Sequence, residues 1–303
     1  MSPTLATNPH TELTTESALM WNSLHVFIHD FSKHDHFLNE CIAQLPETIL
    51  QNTFFVRYWE GGPHIRLRTR AEVNTQQTFT TEQLEFDIKN YLSKNNFPSN
   101  LSRDDFYAQY RLQQTAQFQA SWYPHLSVEK IAYHAETQRY GGQICMALCE
   151  EHFCKDSALT LRLLHKTKSQ RHALAFAYCI VYLEQLQFFK VDSWELSGIK
   201  ELHPDQHERS VIKKQSQQRY SGIKSALQTQ FEAITSPTSC TMEVRLLRAQ
   251  LKALFPQFQT HAQIPLVAIA NSLLHMSFNR LGIAPSEEAQ LRYLAVNTFN
   301  ESA

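Results

Sequence analysis

An α+β fold, with a β-α-β-β-α-β region leading into an all-helical second half as one compact unit, is predicted by three features of the sequence. Apolar and polar residues alternate through much of the first half, whereas helical periods dominate after Gly142. Glycine is scarce, 7 in 303 residues against a usual share of about 7%. Four of those seven stand in two pairs, Gly61-Gly62 and Gly141-Gly142, where the backbone needs unusual freedom or close approach.

Taken in order, Leu24, Val26 and Ile28 alternate with His25, Phe27 and His29, which predicts a strand, and a short helix can follow. Phe54 to Glu60 and His64 to Arg70 are period-two runs joined by Gly61-Gly62-Pro63, the pattern of a β-hairpin. Leu84, Ile88 and Leu92 share one helical face within Thr81 to Leu92. Asp105 to Leu112 returns to aromatic alternation and is expected to be the last strand. Helices are expected over Ile144 to Phe153, Ser157 to Phe189, Glu208 to Ile234, Glu243 to Phe255, Pro265 to Leu281 and Ser286 to Ala295, with breaks at Pro204 and Ser236-Pro237. Residues 1–17 are expected to form a flexible N-terminus, 18–140 the strand-rich region and 141–303 the helical region of a single integrated domain.

Charge and cysteine usage narrow the function classes. Lys+Arg of 28 against Asp+Glu of 29 leaves a formal net charge of -1, so no global field draws the chain to nucleic acid or an anionic membrane. Arg209, Lys213, Lys214, Arg219 and Lys224 are read as a solvated helix face and not an RNA site. The longest apolar run, Ala173 to Leu183, is about half of the roughly 20 residues a membrane helix needs, and the start of the chain lacks the parts of a secretory signal. A cytoplasmic protein without membrane insertion is expected. Cys145, Cys149, His152 and Cys154 could be imagined around zinc, but buried free cysteines explain their spacing. His25/His29 and His34/His36 have metal-like spacing without an evident third ligand, so no metal is assigned.

Three places can carry chemistry. On the His64 to Arg70 strand, period two puts His64, Arg66, Arg68 and Arg70 on one face. Four potential cations so close repel each other unless the face is open to water, carboxylates of a neighbouring strand pair with it, or anions bind there. Arginine suits the last, since its planar fork grips a carboxylate through two hydrogen bonds, and glycines at the turn would let a substrate backbone approach. Glu136 and Arg139 precede Gly141-Gly142 at the junction of the halves, where the amides of a helix start can face negative charge. His275 and Asn279 share a helical face, and nothing in composition singles His275 out among 15 histidines.

FFVRYW, GGPHIRLR, YHAETQRYGG followed by Asp156-Ser157, and HMSFNRL together resemble the C-terminal domain of lantibiotic dehydratases, the thiopeptide-type bacteriocin biosynthesis family, over roughly Trp21 to Leu294. The resemblance implies an enzyme that eliminates glutamate from a glutamylated Ser or Thr of a precursor peptide, leaving a dehydroamino acid. Related stand-alone members form pyridine rings by cycloaddition. It assigns His275, Arg66 and Arg139 to catalysis and Arg68, His64, Glu136, Gly141 and Gly142 to substrate binding. No cofactor is implied, because arginines can stabilise the charge that develops on the amide oxygen and departing carboxylate. Near neutrality His275 could act as base or as acid. The implied partners are the precursor peptide and a separate tRNA-dependent glutamylating protein, with no direct nucleic-acid contact; a homodimer is compatible. A non-catalytic peptide-binding partner is the rival from another class. Ala135 stands where the family pattern suggests a proline or larger residue. The three arginines Arg66, Arg68 and Arg139 are expected to converge on one pocket.

Overall fold

A computed structural model describes residues 21–70, 80–109, 121–198 and 205–302. The chain divides into two compact units, one of residues 1–135 with 153–161 and the other of residues 136–152 with 162–303. The expected flexible N-terminus and the Pro204 break lie outside the described residues.

In the first unit, strands β1 (Trp21–Phe27), β2 (Thr53–Tyr58), β3 (His64–Arg70) and β4 (Val128–Lys130) form an antiparallel sheet in the order β2-β3-β1-β4. Short helices α1 (His34–Glu40) and α2 (Glu47–Leu50) connect β1 to the β2–β3 hairpin. One sheet face carries Leu24, Val26, Phe55, Ile65 and Leu67, all at most 1% exposed, and burying each such side chain is worth about 1.5–3 kcal/mol. Helix α3 (Thr81–Lys94) starts where the Thr80 hydroxyl accepts the Gln83 N–H, and it buries Leu84, Ile88 and Leu92. Lys130 of β4 reaches Glu82 and Glu85 of α3 at 3.3 and 3.1 Å.

The last strand is not where aromatic alternation suggested. Arg103–Gln109 is helix α4, because the Ser102 hydroxyl accepts the Asp105 N–H and donates to its carboxylate, a local cap that alternation does not register. Residues 110–112 lie outside the described residues. The strand that completes the sheet comes later, as β4.

Helix α5 (Gln143–Leu161) runs through the junction, and its residues 153–161 group with the first unit. There the Ser157 hydroxyl accepts the Phe55 N–H on the open edge of β2. The helical break falls after Leu161, not before Ser157, since the Thr167 hydroxyl and the Gln170 side chain form a reciprocal cap that opens α6 (Lys168–Phe188). Around α6 pack α7 (Gln206–Thr235), α8 (Met242–His261), α9 (Leu266–Arg280) and α10 (Pro285–Ser302). The long apolar run of α6 is the core of this bundle; Phe176, Tyr178, Ile180, Val181 and Tyr182 are at most 2% exposed. Among the described residues no helix is long and apolar enough to cross a membrane.

Candidate functional site

In the first unit the pleat places His64, Arg66, Arg68 and Arg70 on one face, opposite Phe27, His25, Ser23 and Trp21 of β1. Tyr58, Val56 and Phe54 of β2 complete the face. It is not the water-exposed face that would solvate a row of cations. Each guanidinium lies over an aromatic ring: Arg66 at 3.4 Å from the Tyr58 centroid, Arg68 at 4.7 Å from Tyr133 and 5.5 Å from Phe54, and Arg70 at 5.4 Å from Trp21. The negative faces of these rings offset the like-charge repulsion by about 0.5–2 kcal/mol per pair.

His64 is not one of the cations at neutral pH. Its Nδ1–H donates to the Gly62 carbonyl at 2.8 Å, leaving Nε2 to accept the Arg66 Nε–H at 3.2 Å. Burial pushes its pKa down to about 3, against the pull of the Gly62 carbonyl and with the help of Arg66. His64 therefore orients Arg66 by accepting from it.

The hairpin glycines do not leave room for a substrate. Gly62 has φ +112°, and a Cβ there would stand 2.6 Å from His29 Nε2. Gly61, at φ +85°, packs against Ser121 and Tyr123, and its N–H donates to the Tyr107 hydroxyl at 2.9 Å. The pair exists so that the protein's own side chains can close over the turn.

In the second unit, Glu136 and Arg139 form an exposed pair at 3.1 Å, worth at most about 1 kcal/mol to stability. Arg139 Nε–H also donates to the Ser272 hydroxyl of α9 at 3.3 Å. Ser272 stands three residues before His275, so the two share a face one turn apart. The structure thus brings Arg139, Glu136 and the His275 helix together. The turn that carries them is locked down by its glycines: a Cβ on Gly141 would meet Ile269 at 2.9 Å, and one on Gly142 would meet Gln263 at 3.1 Å. Gly141 O accepts the Gln263 N–H at 3.0 Å. The Gly142 N–H is spent on the Thr137 carbonyl at 2.7 Å, so it is not the open amide expected for holding negative charge.

His275 is a third exposed, and its Nδ1 lies 2.8 Å from Glu288 Oε2. Glu288 is 1% exposed, and its other oxygen meets Arg292 Nη2 at 2.5 Å. Burial alone would raise the Glu288 pKa, but Arg292 and His275 bring it below the usual carboxylate range. Sequence reasoning missed Glu288, Arg292 and Ser272. The one available signal was the i, i+4 spacing of Glu288 and Arg292, which reads equally as an ordinary surface pair.

The cysteine group is chemically quiet. Burial pushes the thiols of Cys145 and Cys149 up, which keeps them protonated. Among the described residues no group of three or more His, Cys, Asp or Glu side chains is arranged to hold a metal ion.

Residues 21–299 match the family described as lantibiotic biosynthesis dehydratase C-term. Three solved structures share the fold at low identity. A pyridine synthase, TbtD, from thiomuracin biosynthesis is 14% identical with a TM-score of 0.72, over 93% of this chain and 98% of that one. TsrL is 15% identical with a TM-score of 0.63, over 93% and 95% of the two chains. The tRNA-dependent lantibiotic dehydratase MibB from Microbispora sp. 107891 is 18% identical with a TM-score of 0.56, over 99% of this chain and 29% of that one. No curated relative matches the sequence.

Proposed function

The chain belongs to the lantibiotic biosynthesis dehydratase C-terminal family, and from that premise we propose that it eliminates glutamate from glutamylated Ser or Thr of a precursor peptide. The observation that carries this reading is the gathering of Glu136, Arg139 and Ser272 beside a histidine backed by a buried carboxylate. Such a set provides a cation for a carboxylate and a group that moves a proton.

In this reading His275 takes the α-hydrogen of the esterified residue. The Cα–H electron pair becomes the Cα=Cβ double bond, the Cβ–O bond breaks, and glutamate departs as a carboxylate. Arg139 stabilises charge on the leaving carboxylate, while Glu136 holds the substrate. For the arginine strand the reading assigns Arg66 to charge stabilisation and Arg68 to substrate contact. His64 serves by aiming Arg66, and Gly141 and Gly142 by shaping the turn. The reaction needs no electron-accepting cofactor. The precursor peptide reaches this step already glutamylated on Ser or Thr, and the reaction takes place in the cytoplasm.

The second reading is a pyridine-forming cycloaddition on an already dehydrated peptide. It is favoured by the mutual coverage with the pyridine synthase, 93% of this chain and 98% of that one. Mass spectrometry separates the two. Incubation with a glutamyl-ester peptide should remove one glutamic acid per site, whereas loss of the leader from a dehydrated peptide with a new ring would replace elimination by cycloaddition. An inert protein on both substrates would leave a peptide-binding partner.

A further inference from the structure

The chemistry of His275 depends on which ring nitrogen carries the proton, and α10 decides it. Glu288 and Arg292 lie one turn apart on that helix, both 1% exposed. A carboxylate so deeply buried must have its charge matched. Arg292 does this at Glu288 Oε1 and is itself fastened, with Nη1 donating to Asn271 Oδ1 at 2.7 Å and the Leu196 carbonyl at 3.2 Å, and Nη2 to the Asn271 carbonyl at 3.0 Å. Glu288 Oε2 then faces His275 Nδ1. An ionised carboxylate can only accept, so Nδ1 must carry the hydrogen. A neutral imidazole has a single N–H, which leaves the lone pair on Nε2.

We propose that Glu288 is a positioning residue that holds His275 in the Nδ1–H tautomer, so that Nε2 acts as the base and not as an acid toward the leaving group. The inference rests on the eliminase reading for what the base removes, but the tautomer stands apart from it. Asn271 adds a structural link: it joins Arg292 to α9 four residues before His275, so the helix that carries the base and the helix that orients it are tied by the same side chain.

The test uses the full chain labelled with ¹⁵N-histidine. At a pH where His275 is neutral, its spectrum should show a protonated Nδ1 and a pyridine-type Nε2, the form that free histidine disfavours. Glu288→Gln should give both tautomers, because an amide can accept from or donate to Nδ1. Glu288→Asp keeps a charge opposite Arg292, which protects folding, yet withdraws from Nδ1. In both, kcat for glutamate release should fall about 10–100-fold, as for other orienting partners, with KM within about twofold. An Nε2–H tautomer in the unaltered protein overturns the proposal, and that spectrum decides even if a variant does not fold. Folded variants with unchanged kcat also overturn it. A protein with the Nδ1–H form that releases no glutamate would instead remove the eliminase reading and leave the tautomer assignment standing.

Discussion

Mild acid should destabilise this protein through histidines buried in its first unit. His25, His29, His34 and His64 are each at most 4% exposed. Burial is the main cause of lowered pKa values in all four: to about 2 for His25, with His64 and Arg66 adding to it, about 4 for His29, beside His125, about 3 for His34, near Arg57, and about 3 for His64. In the unfolded chain each titrates near 6.5. Between about pH 6.5 and pH 4 the unfolded state therefore binds more protons than the folded one, and stability falls as pH falls. From pH 7.5 to 5.5 each group contributes a loss of about 1.4 kcal/mol, so the four together reach about 5.5 kcal/mol as a ceiling. That is comparable to the whole stability of many domains, about 5–15 kcal/mol. Urea unfolding at pH 7.5, 6.5 and 5.5 reads the effect, followed by tryptophan fluorescence, since Trp21, Trp59 and Trp122 lie in this unit. His25→Phe, which keeps a ring to stack on His64 at 4.9 Å, should remove about a quarter of the pH slope. Stability that is flat across this range, or an uptake of less than about one proton on unfolding, would falsify the argument.

Three further outcomes are expected. Gly62→Ala should cost about 1–3 kcal/mol, because φ is +112° and the added carbon would strike His29; a urea midpoint like that of the unaltered protein would contradict this. His275→Ala should leave unfolding within about 1 kcal/mol, as expected for a residue a third exposed, while glutamate release slows by about 10²–10⁴-fold. Retained release would return His275 to a structural part. Arg66→Lys should be slower by at least about tenfold in kcat/KM, since an ammonium keeps the charge but loses the planar stacking on Tyr58 and the fork that holds a carboxylate; an unchanged value would make the arginine strand purely architectural.

Local patterns were sufficient wherever a neighbour a few residues away settled the matter. The hairpin followed from alternation on either side of Gly61-Gly62-Pro63, and α3 from Leu84, Ile88 and Leu92 on one face. The apolar run of α6 announced a buried helix, and Ala175 to Leu183 within it are all buried. Alternation failed at Phe106 and Tyr107, where a Ser102–Asp105 cap turned an apparent strand into α4. A short aromatic run fits either period, and only the cap distinguishes them.

The sequence by itself determined which residue types were present for the chemistry: three arginines on one strand face, Glu136 three residues before Arg139, and His275 on a helix. Only the tertiary structure decided their states. Arg66, Arg68 and Arg70 rest on aromatic rings drawn from β1, β2 and Tyr133, and His64 stays a neutral acceptor because the sheet buries it against the His25 and Phe27 rings of β1. His275 gained Glu288 from the next helix, 13 positions along the chain. Protonation and hydrogen-bond direction depend on burial and on partners brought in from elsewhere in the chain, and no local pattern of residues carries that information.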